Sequence, residues 1–144
     1  MTKEWQYLQK SDCANILVYF AKVKTPNQQT GQEGEAVALD FLLKQGYLLL
    51  HKNWRHSHHE VDLIMSKDEV LVFVEVKTRM SNTFGFPENA VTAQKQKTLA
   101  KAAAAYLEKF APDKSLRFDI VSVTRVPNNW EIEHFEDAFF IYDL

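Results

Sequence analysis

Two apolar stretches separated by a short polar segment constrain the fold of this 144-residue chain more than any other feature. Residues 61–65 and 70–76 are rich in β-branched and large apolar side chains, which favour strands. The four residues between them, 66–69, are polar and have the composition of a turn. Together the two stretches predict a β-hairpin.

The predicted hairpin gathers charged side chains near its open end. Side chains two apart on a strand share a face, so Glu60 lies beside Asp62 and Glu75 lies beside Lys77. A four-residue turn puts Glu75 opposite Glu60, which places all four charged side chains on one face. Buried like charges need a compensating cation, whereas a solvent-exposed ladder of ion pairs needs none. Both interpretations remain open from the spacing alone.

The rest of the pattern predicts helices and further strands around the hairpin. Thr30 and Glu33 form a Thr-x-x-Glu capping box and Gly46 has the place of a C-cap, which predicts a helix between them. A second helix is predicted from about residue 88 or 92 to residue 110, where apolar residues recur at helical spacing. Further strands are predicted at 47–50, 117–124, 130–135 and 138–142, with a histidine-rich loop at 51–59.

The chain is interpreted as an N-terminal extension of unknown role, residues 1–25, followed by one α/β domain, residues 26–144. The single cysteine, Cys13, cannot form an internal disulfide, which suits a reducing compartment. The apolar runs are far below the roughly 18 residues that a membrane-spanning helix needs, and no signal peptide is recognisable. A cytoplasmic protein without a membrane partner is therefore expected.

A third carboxylate, that of Glu35, is predicted on the inner face of the first helix. Its position is in register with the apolar stripe Ala38, Leu39, Leu42 and Leu43. With Asp62 and Glu75 it would supply hard oxygen ligands for Mg²⁺ or Mn²⁺, and Lys77 would lie beside them. Phosphodiester hydrolysis uses such a set, because a metal polarises the phosphoryl oxygen and an ammonium group neutralises the transition state. A Glu35 side chain turned to solvent is the alternative.

The charge distribution allows a local basic face although the net charge is −2. Residues 1–125 hold seventeen basic and fourteen acidic residues, because the last nineteen residues contain only acidic charges. The side chains that could surround the carboxylates and follow a nucleic-acid backbone are Arg55, Arg79, Lys95 and Arg117. The exposed face of the second helix adds Lys97 and Lys101, for which ordinary solvation is an equal alternative.

The predicted loop at 51–59 contains aromatic and imidazole side chains with two interpretations each. His56, His58 and His59 lack a cysteine or a further closely spaced histidine that would complete a tetrahedral zinc site, so a solvated loop is preferred. Phosphate contacts by these histidines are a second option. Trp54 could stack on a nucleobase, although packing against the protein is the preferred interpretation.

Several short motifs carry a resemblance to a known family. They are Gly31-Gln32-Glu33-Gly34-Glu35, Asn53-Trp54-Arg55, Glu60-Val61-Asp62-Leu63-Ile64, Val72-Phe73-Val74-Glu75-Val76-Lys77-Thr78-Arg79, Phe84-Gly85, Lys95 and Arg117-Phe118-Asp119. In this order they resemble the YraN-like family of uncharacterised bacterial proteins, from about Gly31 to Phe140. That family is similar to restriction-endonuclease-like and Holliday-junction-resolvase-like nucleases. The resemblance implies a restriction-endonuclease-like core, in which helices flank a central mixed β-sheet.

The nuclease motif of those families is an Asp, then an Asp or Glu, one residue and a Lys. Asp62, Glu75 and Lys77 match these positions, and Glu35 matches an accessory acid on the helix. The resemblance implies Mg²⁺- or Mn²⁺-dependent hydrolysis of DNA, with branched or flapped DNA as a candidate substrate and a homodimer for cutting junctions. His59 departs from the glycine that the family often has there. A noncatalytic nucleic-acid-binding or assembly protein with a nuclease-like fold is the alternative.

Overall fold

The structure, a computed structural model, describes residues 25–81, 91–111 and 113–140. The chain divides into two compact units, residues 1–30 and residues 31–144, and the second contains the β-sheet. The predicted extension at 1–25 lies outside the described residues apart from Thr25, so the boundary with a domain at 26–144 stays a prediction. Phe84, Gly85 and the end of the strand predicted at 138–142 also lie outside them.

Two helices and a five-stranded sheet form the described part of the chain. In chain order the elements are α1 (Pro26–Lys44), β1 (Leu48–His56), β2 (His59–Lys67), β3 (Val70–Met80), α2 (Ala93–Phe110), β4 (Ser115–Val126) and β5 (Asn129–Phe135). The strand order is β1-β2-β3-β4-β5, with β3 and β4 parallel and the other neighbours antiparallel. This mixed sheet confirms the predicted α/β class and has the architecture of a restriction-endonuclease-like core.

Each helix packs on its own face of the sheet. Ala38 of α1 belongs to the same buried cluster as Val72 and Val74 of β3. Tyr106 of α2 belongs to the other buried cluster, with Phe73 of β3. Consecutive residues of β3 therefore enter opposite clusters, as the alternation of a strand requires. Because both faces are covered, β3 reads as a nearly continuous apolar run that Glu75 interrupts.

The predicted hairpin is confirmed, with a tighter turn than the sequence indicates. Asp68 and Glu69 form a two-residue turn with φ of 49° and 66°, the left-handed conformation that suits the twist of paired strands. The four-residue turn predicted Met65 opposite Val70, but Met65 lies opposite Val72. That register was wrong by two residues. A slip of two keeps side chains on their predicted faces, since the period of a strand is two.

The helix α1 begins earlier than its predicted capping box. Thr25 is the N-cap: its hydroxyl accepts from the Gln28 N–H at 3.3 Å, and the Gln28 side chain accepts from the Thr25 N–H at 2.9 Å. Pro26 follows at the first helical position, which its fixed φ favours. The predicted N-cap Thr30 lies inside the helix, where its hydroxyl donates to the Pro26 carbonyl.

The other end of α1 matches its prediction. Gly46 has φ of 87° and donates to the Leu43 carbonyl, and the Tyr47 N–H donates to the Leu42 carbonyl, which is a Schellman C-cap. Leu43 itself was wrongly placed on the inner stripe, because its side chain is 47% exposed. The inner row that packs on the sheet is Gly34, Ala38 and Leu42.

Two further predictions about strands were wrong. The segment predicted as a loop at 51–59 instead extends β1 to His56, and a turn at 57–58 leads directly into β2. Its polar side chains fit an edge strand, which meets solvent along one side. The strand predicted at 138–142 is not one at 138–140, where the Ala138 N–H donates to the Phe118 carbonyl at 2.8 Å.

We expect Gly34→Ala to destabilise the fold, by about 1–3 kcal/mol as overpacking does. A Cβ at Gly34 would lie 1.9 Å from Oγ1 and 2.9 Å from Cβ of Thr78 on β3, so side-chain rotation alone cannot make room. The matched control is Gly31→Ala, where a Cβ meets no atom within 4 Å and helix propensity should add about 0.5–1 kcal/mol. Urea unfolding of both variants measures the difference. Equal stabilities for them would contradict close packing of α1 on β3.

Candidate functional site

The candidate site lies where β2 and β3 separate. Backbone pairing between these strands runs from Lys67 and Val70 to Leu63 and Val74, and within the described strands it goes no further. Beyond this point β2 pairs only with β1, while β3 continues beside β4 to its end at Met80. The residues that follow the last pair, Asp62 on β2 and Glu75 on β3, are two of the predicted site residues.

The Asp62 carboxylate takes the place of the missing backbone partner. Its Oδ2 accepts a hydrogen bond of 2.7 Å from the Val76 N–H. The alternation of β2 is also broken here, because Val61 packs in the α2 cluster and Leu63 in the α1 cluster, although strict alternation would put them on one face. The separation of the strands therefore brings a carboxylate, and not a backbone carbonyl, to the edge of β3.

Glu75 is the buried acid of the site, only 4% exposed. Its Oε1 lies 3.0 Å from Nζ of Lys77, the predicted strand partner. Its Oε2 lies 3.3 Å from Nζ of Lys95 on α2, but it accepts no hydrogen bond from the described residues. The compensating cations that a buried acid needs are thus two lysines from different elements. One oxygen of the carboxylate keeps unused hydrogen-bonding capacity.

The surroundings of Asp62 change the pKa of its carboxyl group. Burial, followed by the negative charge of Glu75, raises the pKa of Asp62 to about 7. The hydrogen bond from Val76 and the charge of Lys95 act in the opposite direction, while the charge of Glu35 adds to the rise. The carboxylates repel one another at this point of the sheet, and a cation between them would relieve that repulsion.

Glu35 faces the site from α1 and is half-buried, so the solvent-facing alternative does not hold. Its Oε2 accepts a hydrogen bond of 3.0 Å from the side-chain amide of Asn53 on β1. Asn53 has φ of 48° and is left out of the pairing between β1 and β2, in which Lys52 pairs with Leu63 and Trp54 with Val61. The irregular backbone of β1 thus aims the Asn53 amide at Glu35.

The donor set fits a metal ion with few protein ligands. In the part of the chain that is described, no group of three or more His, Cys, Asp or Glu side chains converges closely enough to hold a metal ion. Asp62 and Glu75 supply two hard carboxylates, and Glu75 has an oxygen without a hydrogen bond. Mg²⁺ keeps several waters and is commonly held by one or two carboxylates together with substrate phosphates. The site is compatible with that kind of coordination.

Glu60 does not join the other charged residues, contrary to the predicted single face. It pairs with Arg55 on β1, with Nε and Nη2 of Arg55 at 3.0 Å and 2.9 Å from its Oε2. Arg55 is 73% exposed and lies at the end of β1, close to the turn into β2. Its guanidinium is available at the surface beside the strand that carries Asp62.

Arg117 belongs to a separate polar network. It pairs with the buried Asp119 at 2.8 Å and with Glu136 at 3.5 Å, and it donates to the hydroxyl of Tyr47. Burial alone would raise the pKa of Asp119, but hydrogen bonds from His134, Arg117 and the backbone N–H at 137 lower it below its ordinary value. Arg117 pairs with Val72 in the sheet, three residues before Glu75 and so about 10 Å along the strand. The structure therefore does not bring Arg117 to the carboxylates.

The sequence prediction gave one residue of the site a different role and missed another. Lys95 was predicted to contact phosphate, yet it directly pairs with Glu75. Its place in the first turn of α2 follows from Thr92, whose hydroxyl accepts from the Lys95 N–H. Asn53 was overlooked altogether as a partner of Glu35, because nothing in the sequence marks the irregularity of β1. Arg79, on β3, is half-buried two residues after Lys77.

The fold and the site define a class of protein: an α/β protein with a restriction-endonuclease-like core and acidic and lysine side chains where its strands separate. The model of the uncharacterised protein family UPF0102 matches residues 34–123, and the chain belongs to that family. This confirms the resemblance to the YraN-like family.

Relatives in several bacterial groups cover most of the chain. A UPF0102 protein of Bacteroides fragilis is 41% identical over 110 residues, which is 76% of this chain and 91% of the relative. One of Parabacteroides distasonis is 43% identical, with the same shares covered. One of Thermodesulfovibrio yellowstonii is 40% identical over 78% of this chain and 96% of its own length. Among the described helices, neither is long and apolar enough to span a membrane.

We expect the stability of the metal-free protein to fall as the pH rises from about 4 to 7, in part because of Asp62. Its pKa is raised to about 7 from an ordinary value of 3.8, so in this window the folded state holds a proton that the unfolded chain has released. Each unit of pKa difference is worth at most about 1.4 kcal/mol. Asp62→Asn has no proton to lose and should gain stability relative to the wild type as the pH rises.

Urea unfolding across this window, in buffer without divalent ions, measures that difference. Asp40→Asn is the control, since Asp40 is exposed and, among the described residues, pairs only with Lys44 in its own helix turn. Its profile should run parallel to that of the wild type. A parallel profile for Asp62→Asn as well would show that Asp62 is not buried among acids.

Proposed function

We propose that this protein is a divalent-metal-dependent nuclease that hydrolyses DNA phosphodiester bonds, with branched or flapped DNA as a candidate substrate. One observation carries the proposal. Where β2 and β3 separate, the Asp62 carboxylate lies close enough to the buried Glu75 for their charges to interact, and two lysines flank Glu75. An ordinary salt-bridge ladder on a strand surface would be solvent-exposed, whereas Glu75 is 4% exposed.

Asp62 and Glu75 would hold Mg²⁺ or Mn²⁺ directly, and Glu35 would complete the acidic set from α1. When bound, the metal supplies a polarised phosphoryl oxygen and a water of lowered pKa. The raised pKa of Asp62 supports this assignment, because it records an excess of negative charge and burial that a cation would offset. The unused oxygen of Glu75 supports it as well.

Lys77 would act on the reacting phosphate and not on the metal, since an ammonium group has no lone pair to donate. It shares a strand face with Glu75, and its side chain is 28% exposed, so its Nζ can reach a bound substrate. There it would hold the attacking water by hydrogen bonding or neutralise the charge that develops on the phosphoryl oxygens. Glu75 fixes the position of the ammonium group before substrate binds.

The remaining basic residues would position the DNA backbone. Lys95 is 34% exposed beside Glu75, and Arg55 is exposed near the turn between β1 and β2. Arg79 follows Lys77 by two residues on the same strand. These three are proposed as phosphate contacts. A symmetric homodimer would suit the cutting of both strands of a junction, and a cytoplasmic location would suit a DNA substrate.

A noncatalytic nucleic-acid-binding protein is the second candidate, and a specific observation favours it. The two lysines already neutralise Glu75, and among the described residues no three metal-binding side chains converge. In that case the lysines would serve as phosphate contacts. The two candidates differ in whether a divalent metal binds and in whether the removal of Lys77 affects turnover or affinity.

We expect Mg²⁺ or Mn²⁺ to raise the melting temperature of the wild type and to have little effect on Asp62→Asn. Binding to the folded state alone stabilises a protein by RT ln(1 + [L]/Kd), so the shift grows with metal concentration. Calorimetry of metal binding gives the affinity independently. Asp40→Asn, which alters an exposed acid on α1, should keep the wild-type response. An unchanged metal affinity in a folded Asp62→Asn would contradict the assigned site.

We expect Lys77→Met to reduce single-turnover cleavage by about 10² or more while metal and DNA affinities change only a few-fold. The reason is that Lys77 would act mainly in the transition state. Lys44→Met is the control, since Lys44 is 73% exposed and its one partner in the described part of the chain is Asp40. Linear, flapped and four-way DNA substrates form the panel. If Lys77→Met cleaves DNA at the wild-type rate, the role assigned to Lys77 is rejected. If the wild type cuts none of the panel, the noncatalytic candidate is favoured.

A further inference from the structure

A surface notch between β1 and α2 has chemistry that the carboxylate site does not use. It has a volume of about 470 Å³ and is lined by Trp54, Arg55 and His56 of β1 and by Ala105, Glu108 and Lys109 of α2. We call it the β1–α2 notch. From the lining and from the proposed nuclease function, on which the inference rests, we propose that the notch binds one unpaired nucleotide of a DNA strand that continues toward the carboxylate site.

The first wall of the notch is flat and aromatic. The rings of Trp54 and His56 are nearly parallel, at 8°, with centroids 6.0 Å apart. Tyr106 of α2 packs edge to face against Trp54, with ring centroids 5.3 Å apart. Aromatic faces of this kind hold nucleobases by stacking, without requiring a particular base.

The second wall of the notch is open and polar. Ala105 has a small side chain there, which leaves room between α2 and the aromatic wall. The exposed Glu108 carboxylate can accept hydrogen bonds from the amino and imino groups on the edge of a base. Lys109 and Arg55 supply positive charge for a phosphate. A guanidinium has five N–H donors, so Arg55 can serve both Glu60 and a phosphate.

The combination favours an unpaired nucleotide over duplex DNA. In a duplex the base faces are stacked and the Watson–Crick edges are paired, so only an unpaired base can offer a face to Trp54 and an edge to Glu108. A surface that binds duplex DNA through its backbone would also be uniformly basic, whereas a carboxylate lines this notch.

The notch adjoins a second cavity at the turn between β1 and β2. This cavity of about 380 Å³ shares Arg55 and continues along Ser57, His58 and His59 to Glu60. Its hydroxyl and imidazole groups can bind phosphate oxygens. From His59 the strand β2 leads to Asp62, three residues or about 10 Å away. A strand that runs from the notch past Arg55 and the histidines would reach the separated strands.

The experiment compares two labelled DNA molecules by fluorescence anisotropy, with EDTA present so that no cleavage occurs. One is a short blunt duplex, and the other is the same duplex with a single-stranded tail of a few thymidines. We expect the full-length wild type to bind the tailed duplex about tenfold more tightly, in line with the stacking of one base. Equal affinities for the two molecules, or no binding of either, would overturn the proposal.

A matched pair of variants places the effect in the notch. Ala105→Leu adds three carbon atoms between α2 and the aromatic wall, which should abolish the preference for the tail while leaving the affinity for the blunt duplex unchanged. Ala104→Leu makes the same change on the exposed neighbouring position and should keep the preference. If Ala105→Leu does not fold, the exposed variants Glu108→Gln and Lys109→Ala decide, since each should reduce the preference several-fold. A preference that survives all notch variants would overturn the proposal.

The outcome does not depend on cleavage. If the protein cuts DNA but shows no preference for the tail, the proposed nuclease function stands and the proposal about the notch fails. If Ala105→Leu abolishes the preference for the tail but the wild type cuts no substrate, the proposal about the notch stands and the proposed nuclease function fails.

Discussion

The parallel pairing of β3 with β4 constrains the rest of the structure. It extends over eleven residue pairs, from Val70 with Ser115 to Met80 with Arg125. Parallel neighbours cannot be joined by a tight turn, so the chain must cross from one end of the sheet to the other, and α2 occupies this crossover. The first turn of α2 lies near the end of β3 that follows Glu75, which places Lys95 beside its carboxylate. The topology thus explains how a second lysine reaches a strand that already provides Lys77.

The separation of β2 from β3 has the opposite effect, because it opens the sheet where the parallel pair stays closed. A sheet that separates between two central strands exposes unpaired backbone groups, which are costly unless a side chain or water satisfies them. Asp62 satisfies the Val76 N–H, and in doing so it is held close to Glu75 and Glu35. One carboxylate therefore satisfies the Val76 N–H and also adds to the negative charge of the site. This explains why an acid is tolerated at a position where its pKa is so strongly raised.

The sequence predicted the features that depend on period and local composition, and it failed where a distant element decides. The sequence predicted that Asp62, Glu75 and Lys77 lie together because side chains alternate along strands, and the error of two residues in the turn left that alternation intact. Glu60 was placed wrongly because β2 departs from alternation near Asp62. The pairing of Lys95 with Glu75 depends on where a helix crosses the sheet, which spacing in the chain does not encode.

Two buried acids of the same sheet show why the carboxylate site differs from an ordinary stabilising network. Asp119, fully buried, accepts hydrogen bonds from the side chain of Arg117 and the backbone N–H of Asp137, and His134 lies at hydrogen-bond distance. Each of its oxygens is used, and its pKa is lowered, as expected for an acid that stabilises the fold as an anion. Glu75 is almost as buried, yet its contacts are ammonium groups on partly exposed side chains, and one of its oxygens accepts no hydrogen bond from the described residues. An acid that served only the fold would be expected to have partners like those of Asp119, because an incompletely satisfied buried charge costs stability. The incomplete satisfaction of Glu75, next to an Asp62 whose pKa is raised, supports the proposal that a ligand is the last partner of this carboxylate.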